Sequence, residues 1–221
     1  MTERPDHVPS TPAPPVRVLP VRVLPLRVLP LRVLTVCTAN VCRSPVAERL
    51  LARHLDAVGI PADVRSAGTI GGRLDVHPDT VAAAAGAGVD LAGHVSRRLT
   101  AEVIRTDGAD LVIAMAREHL REIVALDPDA WPRTFTLKEL DRRALDAGAP
   151  AAGTPLTTWL TTIADGRRAA DMLRPDPADD VRDPYGGPHR AHLEMVRELD
   201  DIVERLVGRR FAPLLARPTD R

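Results

Sequence analysis

The sequence predicts a three-layer α/β fold, a central parallel sheet of about four strands with helices on both faces and a phosphate-binding loop after the first strand. Three observations lead there. Short apolar runs alternate with stretches whose apolar residues recur every three or four positions. The run DLVIAMA at 110–116 carries almost nothing but apolar side chains, as a strand covered on both faces does. The chain has 221 residues, 44% of them hydrophobic, enough to bury such a sheet. Phe135, Phe211, Trp131, Trp159 and Tyr185 are its whole aromatic complement, so Leu, Val, Ile and Ala must fill the core.

The elements follow in order. VRVLTV, about 31–36, reads as the first strand, and Pro45–Val58 as a helix whose Val46, Ala47, Leu50, Leu51, Leu55 and Val58 share a face. Gly59 ends it. ADVRSAG (62–68) is a second strand, and Asp79–Ala87, led by Pro78, an alanine-rich helix. The strand at 110–116 opens into a helix from Arg117 to about Leu126, and RTFTL (133–137) is a further strand. Residues from about 144 to 180 break the rhythm: AGAPAAGTP is a loop, Leu156–Ala170 a helix, and RPDPADD a loop again. This reads as an insertion in one domain spanning 31–210. The last helix runs from about His189 to Val207, and the tail at 211–221 is expected to fray.

The first thirty residues differ from all this. VRVLP, VRVLP and LRVLP (16–30) repeat before LRVLT, and proline every fifth residue removes a backbone donor and forbids helix. Residues 1–30 therefore read as a disordered Pro-rich arm, either a docking segment or a coding-repeat expansion.

Composition excludes several classes. Thirty basic residues balance thirty acidic ones, which argues against a polybasic nucleic-acid binder. No apolar run approaches a membrane span, and MTERPDH lacks a secretory layout. Two cysteines five positions apart cannot frame a disulfide scaffold. The expectation is a cytoplasmic protein without nucleic-acid or membrane partners. His189 and His192 stand at i, i+3, yet no third ligand follows at a recognisable spacing, so neither a metal site nor any cofactor is expected. Arg97-Arg98 and Arg167-Arg168 read as solvated faces.

The junction after the first strand carries the chemistry: Cys37-Thr38-Ala39-Asn40-Val41-Cys42-Arg43-Ser44-Pro45. A cysteine here meets a helix N-terminus, a loop of backbone N–H groups and a nearby arginine, three features that favour a thiolate. Arg43 can fold back and grip two phosphate oxygens in a fork. Ser44 can donate to the sulfur, and Pro45 suits the first turn of the helix. The Cys-to-Arg spacing alone would be weak in so arginine-rich a chain; its place at a strand end before an amphipathic helix makes it specific.

VLTVCTANVCRSPVAERLL resembles the signature of the low-molecular-weight protein tyrosine phosphatase family. The resemblance implies Cys37 as nucleophile, Arg43 as phosphate clamp, Ser44 as the thiolate's hydrogen-bond partner and Asn40 as a loop support, with Thr38, Ala39, Asn40, Val41 and Cys42 lining the bound phosphate. Ala39 departs from the family's usual glycine and fits only with negative φ. VRSAGT (64–69) and GHVSRRLT (93–100) also resemble family segments, implying Ser66 and His94 as further supports, and ADLVIAMAREH (109–119) fits as well. Similar proteins can join two loop cysteines, so the resemblance implies either a Cys37–Cys42 disulfide under oxidation or a Cys42 that simply packs under the loop. A late Asp-Pro beside an aromatic supplies the family's general acid. Asp183-Pro184-Tyr185 is the match, with Tyr185 as an aromatic wall, in preference to the Asp-Pro pairs at Asp127 and Asp176. The resemblance therefore implies a metal-independent phosphatase acting on phosphotyrosine-containing proteins. An arsenate reductase recycled by a small thiol, a protein arginine phosphatase and a non-catalytic phospho-ligand module stay as alternatives. An aliphatic Val41 favours tyrosine over arginine.

Overall fold

A computed structural model describes residues 30–108 and 110–215. The proline-rich arm at 1–29 lies outside them. Four parallel strands, β1 (Leu31–Cys37), β2 (Ala62–Gly68), β3 (Leu111–Ala114) and β4 (Thr134–Thr136), form one sheet in the order β2-β1-β3-β4. The expected α/β architecture is present. Its helices are α1 (Arg43–Ala57), α2 (Pro78–Gly86), α3 (Ala101–Asp107), α4 (Arg117–Leu126), α5 (Leu137–Ala147), α6 (Leu156–Ala164), α7 (His189–Leu206) and α8 (Ala212–Leu215).

Strand side chains alternate between the two faces, and so split the core in two. Val33, Cys37, Leu111, Ile113 and Phe135 point to one side, where α1, α5 and α7 cover them. Leu34, Val36, Val112 and Ala114 point to the other, under α3 and α4. Leaving β1, the chain builds β2 on one side and β3 on the other. The crevice between the carboxyl ends of β1 and β3 is thus the topological switch point, where ligands of such sheets sit.

Several boundaries correct the sequence reading. α1 begins two residues early, at Arg43; Pro45 still falls in the first turn, whose N–H groups lack intrahelical partners anyway. α3 and α5 lie where no helix was expected; Thr100 and Thr136 cap them by accepting from Val103 N and Glu139 N. α6 stops at Ala164 rather than Ala170 because Gly166 takes a left-handed φ of 72°. α7 does not fray after 210. It widens into a π turn at Val207–Phe211 and continues into α8, while Phe211 is buried edge-on against Trp159, ring centroids 5.7 Å apart. Arg167 is not solvated either. Its guanidinium is buried between the Trp131 and Phe135 rings, 4.1 Å from each centroid, and paired with buried Glu139 at 2.8 Å.

Candidate active site

Residues 37–44 wrap the carboxyl end of β1. A single non-glycine residue among those described, Asn40, takes a left-handed φ, 58°. Ala39 therefore has negative φ, and the departure from glycine costs no strain. Asparagine tolerates the left-handed region better than most residues, and here the side chain and the carbonyl of Asn40 are fully engaged. Its Nδ2 donates to Ser44 Oγ and Ser66 Oγ, both at 2.9 Å, its Oδ1 accepts from Arg97 N at 3.1 Å, and its carbonyl accepts from His94 Nε2 at 3.1 Å. Ser66 passes the chain on to Glu48 Oε2 at 2.5 Å. Asn40 donates into the Ser44 oxygen, and the Ser44 hydroxyl lies 3.0 Å from Cys37 Sγ and 3.5 Å from Ala67 O, placed to donate to the sulfur as the nearer of the two. Gly68, at the end of β2, lets the loop approach: a Cβ there would lie 2.7 Å from Thr38 O and 2.9 Å from Asn40 N.

Sequence reasoning named Asn40, Ser44, Ser66 and His94 but missed Glu48, Gly68 and Arg97. Arg97 was read as solvated; instead it also holds Ser66 O through Nε at 2.6 Å and pairs with Asp107. His119 was missed too. Thr38 Oγ1 accepts from Arg43 at 3.1 Å and donates to His119 Nε2 at 2.9 Å. That donation needs a neutral ring, and burial first, then the charges of Arg43 and Arg121, push the His119 pKa down to about 3.

The loop opens into a cleft of about 510 Å³. Cys37 and Arg43 lie in it, Ile70, Leu74, His77 and Tyr185 wall it, and Asp183 lines it too. Among the described residues, the backbone N–H groups of Thr38, Ala39, Asn40, Val41 and Cys42 donate to no protein acceptor. Arg43 is buried; one terminal nitrogen donates to Asp183 Oδ2 at 2.6 Å, the other to Val181 O at 3.3 Å, and its buried Nε has no partner. Unpaired N–H groups and a guanidinium around a concave floor make an anion site. The structure brings Asp183 to that floor, 140 residues along the chain from Arg43. Tyr185 is two-thirds exposed, edge-on to His77 with ring centroids 5.6 Å apart. Both cysteines are free. Burial raises the Cys42 thiol to about 11, so Cys42 stays protonated at neutral pH.

The structure gathers a third potential metal ligand that sequence spacing did not reveal: His77, Asp79 and His192 bring ligand atoms within 4.8 Å of one another. The His77 and His192 rings are stacked, with centroids 4.7 Å apart and planes at 20°, and His192 Nδ1 pairs with Thr80 Oγ1 at 2.8 Å. His77 Nδ1 is already engaged as the cap of α2, accepting from Asp79 N at 3.3 Å. His189 pairs with Asp79 instead, at 3.2 Å.

Comparison with known proteins agrees with this geometry. The family model described as low molecular weight phosphotyrosine protein phosphatase matches residues 32–151. The low molecular weight protein-tyrosine-phosphatase Etp of Escherichia coli (strain K12) is 46% identical over 91 residues, 40% of this chain; the match spans about half, 56%, of Etp's own length. Among solved structures, the low molecular weight protein tyrosine phosphatase from T. tengcongensis superposes with a TM-score of 0.60 at 27% identity, covering 80% of this chain and 98% of that one. A YwlE mutant from Bacillus subtilis gives a TM-score of 0.59 at 27% identity over 80% and 97%. The family model covers more than half of the chain, and the chain belongs to the low molecular weight phosphotyrosine protein phosphatase family.

Proposed function

We propose that this chain is a cysteine-dependent phosphatase that hydrolyses phosphotyrosine in proteins through a phosphocysteine intermediate. One observation carries the reading: Cys37 Sγ, the unpaired loop amides, Arg43 and Asp183 share one cleft, with Ser44 Oγ 3.0 Å from the sulfur. A phosphate dianion entering the loop takes the N–H groups of 38–42 and competes with Asp183 for Arg43. Preorganised donors of this kind hold the equatorial oxygens with no reorganisation at the moment of reaction. The Cys37 sulfur attacks phosphorus in line; the ester P–O bond breaks, and Asp183 gives its proton to the departing phenolic oxygen. Asp183, now a carboxylate, takes a proton from water as the water oxygen attacks the phosphocysteine. The P–S bond breaks, and the Ser44 hydroxyl steadies the leaving sulfur anion.

Ile70, Leu74 and Tyr185 give the cleft apolar walls that suit an aromatic ring, and Val41, aliphatic and buried, keeps that part of the floor apolar. Two free cysteines fit a cytoplasmic site of action, and among the described residues no helix is long and apolar enough to cross a membrane. Assays of phosphotyrosine peptides, phosphoarginine and arsenate, side by side, test the reading. Turnover of phosphotyrosine, lost in Cys37→Ser while vanadate still binds, is expected. Preferential turnover of phosphoarginine or arsenate, or full activity in Cys37→Ser, would overturn it.

A further inference from the structure

The segment leading into the Asp183 loop is fastened to the start of α4 by one arginine. α4 begins with Ala116 in the cap position, so it has no side-chain cap of its own. The cap arrives from 63 residues away: Asp180 Oδ1 accepts from Arg117 N at 2.7 Å. The Arg117 side chain returns the contact. Its Nε donates to Asp179 Oδ2 at 2.8 Å, NH2 lies 2.7 Å from Asp179 and 3.1 Å from Asp176, and NH1 donates to Asp171 O at 2.9 Å and Arg174 O at 3.2 Å. Asp179 is fully buried, with Arg142 2.7 Å from its other oxygen. The next residues reach the cleft: Val181 N donates to Met115 O at 2.8 Å, Val181 O accepts from Arg43, and Asp183 follows.

Asp183 itself has little to hold it. Its side chain is 44% exposed, and its contacts are Arg43 and the turn bond from Tyr185 N at 3.2 Å. Incoming phosphate competes for the first of these. What fixes the backbone from behind is then the Arg117–Asp179–Asp180 cluster at the end of the 144–180 insertion. A proton donor displaced by about 1 Å loses roughly a hundredfold in rate.

Resting on the reading of Asp183 as the general acid, we propose that Asp180 and Arg117 are positioning residues that set where Asp183 stands once phosphate has taken Arg43. They touch neither substrate nor reacting atoms. Their removal acts on the step that needs the acid and spares leaving groups that need none.

The test is a series of aryl phosphates from phenyl to dinitrophenyl, run on the full chain with Asp180→Ala, Asp180→Asn, Asp183→Ala and the Asp180→Ala/Asp183→Ala pair. Asp180→Ala is expected to lower kcat/KM about tenfold for phenyl phosphate and hardly at all for dinitrophenyl phosphate. Asp180→Asn, whose Oδ1 still accepts from Arg117 N, restores the rate. In the Asp183→Ala background the Asp180→Ala loss disappears. A second variant, Arg117→Met with Asp179→Asn, cuts the side-chain clamp without stranding a buried charge and is expected to give the same leaving-group slope. A loss equal for every leaving group, or one that persists without Asp183, overturns the proposal. If Asp183→Ala shows the leaving-group dependence and the Asp180 and Arg117 variants do not, positioning alone fails. If Asp183→Ala shows none, the acid assignment fails and the positioning falls with it.

Discussion

The two halves of the site are held in opposite ways. The loop at 37–44 is fixed by neutral and charge-assisted hydrogen bonds converging on Asn40, which is wholly buried. The loop carrying Asp183 is half exposed and hangs on ion pairs, Arg43 in front and Arg117 behind. A densely hydrogen-bonded buried network makes a rigid cradle, and rigid donors are what oxyanion binding needs. A proton donor must instead meet leaving groups of different shape, and must serve first as acid and then as base. The Arg43–Asp183 pair, half exposed on its carboxylate side and open to exchange with phosphate, suits that task.

The sharpest contrast between the halves is chemical. Asp183→Ala is expected to cost about a hundred- to a thousandfold in kcat/KM on phenyl phosphate, shrinking toward none as the leaving group becomes more acidic, with vanadate bound at least as tightly. A loss of anion binding in this variant would mean that the two loops do not divide the work. Next comes the cradle: Asn40→Ala removes three side-chain hydrogen bonds and puts alanine at φ 58°. It should lower stability by about 2–4 kcal/mol in denaturant melts and weaken vanadate binding along with kcat. A variant with normal anion affinity would show that the network does not shape the loop.

His119 sharpens the comparison further, because it is the cradle's buried titratable group. Its pKa is about 3 in the fold against 6.5 ordinarily, so the unfolded chain takes up a proton first as pH falls. Stability is therefore complete above pH 6.5 and declines between 6.5 and 3, at up to about 1.4 kcal/mol per pH unit from this group. His119→Asn should flatten that decline between neutrality and pH 5 in urea melts at several pH values; an unchanged slope would place its source elsewhere. The smallest effect belongs to the exposed wall. Tyr185→Ala is expected to raise KM for phosphotyrosine peptides about three- to tenfold with kcat nearly unchanged. An unchanged KM would leave Tyr185 a surface turn residue.

Legibility in the sequence divides along the same line. The cradle's working groups lie within eight consecutive residues between a strand and an amphipathic helix, so spacing and context together pick out Cys37, Arg43 and Ser44. Asp183 stood out by its neighbours Pro184 and Tyr185. Glu48, Arg97 and His119 were hidden because buried or half-buried polar residues follow no period, and their loop-side partners Ser66, Asn40 and Thr38 lie 18, 57 and 81 residues from them along the chain. Arg167 was hidden for a further reason: only the folded chain brings Trp131 and Phe135 onto its two faces. The missed helices did leave signals. Thr136 three residues before Glu139 is a capping box for α5, and Thr100 with Gly108 brackets α3. Short apolar stretches next to strands masked them.

The covalent step tests the whole picture most directly. Rapid acid quench of the protein with a phosphotyrosine peptide, followed by mapping of the modified residue, should place one phosphoryl group on the Cys37 sulfur, with more of it in Asp183→Ala under leaving groups that outrun hydrolysis. Phosphate found on another side chain, or turnover with no phosphoenzyme under any quench, would contradict the assignment of Cys37 as nucleophile.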